Sequence, residues 1–129
     1  MKITAIYAAL LTPLFILLSL RVIAARRIAR SAIGDGNDAI LLRRMRVQAN
    51  FAEYVPLALL LMALAESMHG PALLLHALGV TLLVARLSHA YGVSQEAEEF
   101  RFRVLGVGLT FTMLSFAAVS CLALVAFGG

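Results

Sequence analysis

The sequence predicts an all-α integral membrane protein, a four-transmembrane-helix bundle, and three observations lead there. The chain is 62% hydrophobic and 14% charged, with a mean hydropathy of +0.94, whereas a soluble domain carries roughly 45–50% apolar and about 25% charged residues. Its 129 residues fall into four long apolar stretches separated by charged or Gly/Pro-rich punctuation, and about 20 residues suffice for one crossing. Arg26, Arg27, Arg30, Arg43, Arg44, Arg46, Arg86, Arg101 and Arg103 all belong to one end of these stretches, while Lys2 stands alone at the other. Under the positive-inside rule both termini then lie outside and both charged loops in the cytoplasm. Four spans use nearly the whole chain, so no soluble catalytic domain is expected and any chemistry must sit between helices or between subunits. The net charge of +4 is read as topology and anion binding, with no nucleic-acid partner. The single Cys121 has no intrachain disulfide partner.

Span one covers residues 3–25. A cleaved leader is the alternative for an apolar N-terminal run, but Arg26-Arg27-Ile28-Ala29-Arg30 follows in place of a small-residue cleavage pattern. Pro13 sits mid-span, where a kink is tolerated if neighbours satisfy the freed carbonyl. Gly34-Asp35-Gly36-Asn37-Asp38 is turn chemistry, and Asn37 or Asp38 can cap the helix that follows. That helix runs over residues 39–68, longer than a bilayer needs, with 47–68 as span two and its first two turns protruding. Pro56 frees the carbonyl of Ala52 and predicts a kink. His69-Gly70-Pro71 is a tight turn on the far side. Span three covers 72–91 and carries His76, Arg86, Ser88 and His89. Residues 92–99 form a loop whose Glu96, Glu98 and Glu99 read as a solvated face capping helix four. Helix four runs over 100–127, with 102–127 as the span; Gly106, Gly108, Thr110 and Thr112 are small residues that let helices approach closely. The whole is a single membrane domain, 1–129.

The candidate site lies at the mouth of span two. At about 100° per residue, Arg43, Arg46, Asn50 and Glu53 share one helix face. A carboxylate at membrane depth costs several kcal/mol unless paired or facing a wet cavity, so Glu53 marks a functional site by default. Its structural alternative is an ion pair with Arg46 or Arg86 that locks two helices together. Asn50 has a matching alternative as an interhelical hydrogen-bonding residue. Arg26 and Arg27 double as headgroup-level topology signals, and Arg30 and Arg44 are read as that alone. His89 reads as a general base or, preferably, as a satisfied interhelical histidine. Tyr91 has the alternative of an interfacial belt residue. His69 and His76, seven residues apart, lack acidic or thiol co-ligands, so no metal site is expected.

Four segments, one per span and in order, resemble those of a known family. They are Ser19-Leu20-Arg21-Val22-Ile23-Ala24-Ala25-Arg26-Arg27, Arg46-Val47-Gln48-Ala49-Asn50-Phe51-Ala52-Glu53-Tyr54-Val55-Pro56, Ala85-Arg86-Leu87-Ser88-His89-Ala90-Tyr91-Gly92 and Arg103-Val104-Leu105-Gly106. The family is the membrane-associated proteins in eicosanoid and glutathione metabolism, MAPEG, and the likeness is to its small bacterial members. The Arg-x-x-x-Asn-x-x-Glu-Tyr-x-Pro pattern is the specific part. The resemblance implies a homotrimer in the bacterial inner (plasma) membrane, with glutathione bound between subunits near the cytoplasmic face. It implies that Arg46, Asn50, Glu53 and Tyr54 take the tripeptide on one subunit, with His89 among the binding residues, and that Arg26 meets its carboxylates. Arg27 and Arg103 would approach the thiol from the neighbouring subunit as the catalytic pair. Arg101 is the alternative to Arg103, which the spacing to Gly106 favours. A tyrosine that many relatives carry one turn beyond the His89 position is Val93 here.

The implied activity is glutathione transferase or peroxidase chemistry on a small lipophilic substrate that arrives from the bilayer. Physical chemistry agrees in kind. Glutathione carries two carboxylates and one ammonium, which suit arginine forks and one acid. A cation beside sulfur lowers a thiol pKa from its usual value of about 8.5. Two other functions compete: a non-catalytic membrane scaffold or lipid-binding protein of the same fold, and a small-solute transporter. The last is weaker, because one short chain lacks the repeat pair and broken helices of a carrier.

Overall fold

Four helices carry the architecture: α1 (Lys2–Ala29), α2 (Ala39–Ser67), α3 (Ala72–Ser94) and α4 (Phe100–Phe127). The structure is a computed structural model that describes residues 1–94 and 99–127. Glu96 and Glu98, expected to help cap helix four, lie outside the described residues. All four helices are long and apolar enough to cross a membrane. The protein is an all-α membrane bundle.

Successive helices run antiparallel, as contacts at both ends require. The start of α1 meets the end of α2 through Glu66, and Tyr7 meets His76 at the start of α3. At the other end Arg21 reaches Ser94, and Tyr91 packs edge-on against Phe102. α2 and α3 form the middle of the bundle; α1 and α4 each pack on both of them and do not touch one another. The core is built from Leu11, Val55, Ala58, Met62, Leu82, Met113 and Ala117. Several of these are small, and in lipid, where apolar burial gives helices little reason to associate, close van der Waals approach holds them together. Outward faces carry Leu10, Ile16, Leu60, Phe116, Leu122 and other exposed apolar side chains. That inversion of the soluble pattern is what a lipid solvent selects.

Local chemistry sets the helix ends. α1 stops at Arg30, which takes the left-handed conformation (φ 51°) while its own N–H and that of Ser31 bond the carbonyls of Arg27 and Arg26. Of the two capping candidates Asp38 is the one used: its Oδ1 accepts from the Leu41 N–H at 2.8 Å, while Asn37 adopts a positive φ in the turn. α2 then continues through Pro56 without a break. α3 extends through Gly92 and Val93 to Ser94, because Gly92 lets the chain entering α4 lie against it. Near the start of α3, Gly79 provides the space for the Tyr7 ring, whose hydroxyl donates to the His76 carbonyl at 3.2 Å.

Glu66 holds the end of the bundle where α1 begins and α2 ends. Its two carboxylate oxygens accept from the N–H groups of Ile3 and Thr4, each at 2.8 Å, so α2 supplies the cap that α1 lacks in its own sequence. These are orphan donors at the positive end of a helix dipole. Glu66→Ala is expected to cost about 1–2 kcal/mol, the upper range for a lost N-cap. The check is hydrogen exchange in detergent: protection should fall at Ile3 and Thr4 first, and unchanged protection there would remove the capping role.

Candidate functional site

At the arginine-rich end, α2, α3 and α4 enclose a cavity of about 320 Å³. Arg43, Arg46 and Asn50 line it from α2, His89 and Val93 from α3, and Arg103 from α4. Four residues singled out in the sequence, Arg46, Asn50, His89 and Arg103, therefore share one cavity across three helices. Arg46 and Arg103 are exposed at it, Asn50 is half-buried, and His89 is buried where α3 crosses α4. The walls offer guanidinium and amide donors and one imidazole, and no carboxylate lines them among the described residues. Such a lining suits an anionic, polar ligand.

Behind Asn50 lies Arg86, only 2% exposed and among the most deeply buried side chains of the bundle. Its Nη1 donates to Asn50 Oδ1 at 2.7 Å; Nη2 donates to the Gly106 carbonyl at 3.3 Å and, closely, to Thr110 Oγ1. Thr110 Oγ1 also donates to the Gly106 carbonyl at 2.7 Å. One guanidinium thus ties α2 and α4 to α3. No carboxylate lies within ion-pair distance of it among the described residues, and its Nε is buried without a hydrogen-bond partner. With Oδ1 taken by Arg86, the Asn50 amide presents its N–H₂ group to other partners.

The remaining candidates lie elsewhere. Glu53 is exposed on the outer face of α2, and among the described residues it makes no ion pair or side-chain hydrogen bond, so the alternative pairing with Arg46 or Arg86 does not form. Tyr54 packs edge-on against Phe111 of α4, with ring centroids 5.4 Å apart. Arg26 closes its own loop: its Nη1 donates to the carbonyls of Gly34 at 2.8 Å and of Ser31 and Ala32 at 3.4 Å. Arg27 and Arg101 are exposed. Sequence reasoning placed Arg43 on the right face and gave it no role, and it missed the bond between Arg86 and Asn50. The only sequence signal for the latter is an arginine within an apolar span, which demands a polar partner without naming it.

The MAPEG family model matches residues 4–123. The chain belongs to the MAPEG family. It is 34% identical over 112 residues to the inner membrane protein YecN of Escherichia coli K12, which covers 87% of this chain and 84% of the relative. The YecN protein of E. coli O6:H1 matches to the same extent. No solved structure matches the chain. This MAPEG protein is a multi-pass inner membrane protein, in keeping with its four apolar spans.

Proposed function

We propose that the α2–α3–α4 cavity, completed by a neighbouring subunit of a homotrimer, binds glutathione or a similar low-molecular-weight thiol near the cytoplasmic face. The thiol then reacts with a lipophilic electrophile delivered by the bilayer. The observation that supports this reading is the convergence of Arg46, Asn50, His89 and Arg103 on one cavity. A volume near 320 Å³ falls at the lower end of the roughly 300–1,000 Å³ typical of small-molecule pockets, as suits half of a shared site. Arg46 and the Asn50 amide would hold carboxylate and carbonyl oxygens of the tripeptide. Glu53 argues for the neighbouring subunit. An exposed carboxylate on a helix face at membrane depth is costly against acyl chains, and a subunit contact that brings the ligand's ammonium to it removes that cost. Arg103 lines the cavity from the same subunit as Arg46 and Asn50, where the resemblance implies the neighbouring one; with Arg27 and Arg26 from the adjoining subunit it would surround the sulfur and the remaining carboxylate. Guanidinium groups there favour the thiolate, which attacks the electrophilic carbon as the leaving group departs with its bonding pair; the thiol proton goes to water at the cavity mouth.

Isothermal titration of the detergent-solubilised protein with glutathione tests the reading, alongside native mass spectrometry for the trimer. Binding at millimolar ligand or below is expected, and no heat over that range would remove it. Glu53→Gln should weaken binding roughly tenfold or more, the worth of one charge-assisted contact. Unchanged affinity would exclude the ammonium contact. Conjugation of chlorodinitrobenzene above background, lost in Arg103→Ala, separates an enzyme from a non-catalytic scaffold.

A further inference from the structure

A second cavity, of about 410 Å³, lies within one subunit between α1, α2 and α3 at the same end of the bundle. Three guanidinium-bearing residues line it, Arg21 from α1 and Arg43 and Arg44 from α2, together with Ser94 and the apolar Leu18 and Val47. None of the lining residues among those described is acidic. Two of the arginines are held in place by neutral groups: Arg21 Nη1 donates to Ser94 Oγ at 2.9 Å, and Arg44 Nη1 donates to the Arg21 carbonyl at 3.2 Å. Neither contact neutralises a charge, and each uses one of five guanidinium N–H donors. Arg21 and Arg44 are half-buried over an apolar floor, and an anion joining them would offset their mutual repulsion.

We propose that this cavity is a phosphate-binding site separate from the thiol site, with Arg21 and Arg44 as its anchoring pair. Arginine forks match the tetrahedral oxygens of a phosphate group, and basic pockets between spans are a recognised setting for anionic lipid headgroups. Leu18 and Val47 are buried and form the deep wall. They offer a surface for the glycerol or acyl portion attached to a headgroup, whereas a free phosphate would use the arginines alone. The site does not depend on the thiol reading: Arg43 borders both cavities, but neither Arg21 nor Arg44 lines the α2–α3–α4 cavity.

Native mass spectrometry of protein released from nanodiscs tests this, comparing phosphatidylglycerol with phosphatidylcholine. Inorganic phosphate is titrated in a parallel thermal-shift arm. Retention of about one phosphatidylglycerol per chain, with little phosphatidylcholine, supports a lipid headgroup. A thermal shift with millimolar phosphate and no selective lipid retention supports a soluble phosphate. In either arm Arg21→Gln and Arg44→Gln should each weaken binding roughly tenfold or more. Arg30→Gln, which removes an exposed charge from the same end outside the cavity, should leave it unchanged. If one pocket variant fails to fold, the other carries the test. Equal losses in Arg30→Gln and Arg44→Gln, or no selectivity and no phosphate response in the wild-type protein, would overturn the site.

Discussion

Arg86→Ala is expected to destabilise the bundle by about 2–4 kcal/mol, because it leaves a cavity at the meeting point of three helices and strands their polar groups. The Asn50 carboxamide, the Thr110 hydroxyl and the Gly106 carbonyl all lose a donor at once. Arg86→Met makes a sharper test. A buried guanidinium with no carboxylate beside it among the described residues and an unpartnered Nε carries a large desolvation cost, which methionine removes while filling most of the volume, although Asn50 Oδ1 is left without its donor. Arg86→Met should therefore lose less stability than Arg86→Ala, about 1–2 kcal/mol. It should still weaken thiol binding, since the Asn50 amide loses the bond that turns its N–H₂ group outward. Thermal unfolding and titration calorimetry on both variants check this. If Arg86→Met binds glutathione as tightly as wild type, Arg86 is a packing residue and not a positioning one.

The fold was legible in the sequence because lipid makes hydrophobicity nearly sufficient: each apolar run long enough to span became one helix. The candidate site was legible along α2 but only in part. At about 100° per residue, Arg43 and Asn50 fall about 20° apart, and Arg46 and Glu53 form a second pair about 60° further round. The first pair is half-buried toward α3 and the second is exposed, so one helical stripe serves both the inside of the subunit and its outer surface. Nothing in the stripe indicates where that division falls, since it depends on how α3 and α4 pack. The partners of Arg86, Arg21 and Glu66 were equally hidden. They lie 36, 73 and 63 residues away in the chain, at places fixed only once the helices are paired. Arg26 shows the opposite limit: the sequence offers it as a ligand residue, and within its own subunit it holds the loop that follows α1.

Gly106 and Gly108 look equivalent in the sequence, two small residues two positions apart on α4, and they are expected to respond oppositely to the same change. A Cβ on Gly106 would stand 2.7 Å from the Ala85 carbonyl oxygen and 2.7 Å from the backbone nitrogen and Cβ of His89. Those atoms are mostly backbone, so α4 would have to move away from α3. The Gly106 carbonyl also accepts from Arg86 and Thr110, so the shift would pull apart the polar network behind Asn50. Gly106→Ala should cost about 1–3 kcal/mol as an overpacking change. Gly106→Leu should prevent the helices from closing and leave little folded protein to purify. A Cβ on Gly108 meets nothing within 4 Å. There alanine adds only its advantage in helix propensity, up to about 1 kcal/mol, so Gly108→Ala should match or exceed wild-type stability. Thermal unfolding of the three variants in one detergent decides the matter. If Gly106→Ala unfolds at the same temperature as Gly108→Ala, the close crossing of α3 and α4 does not depend on that glycine.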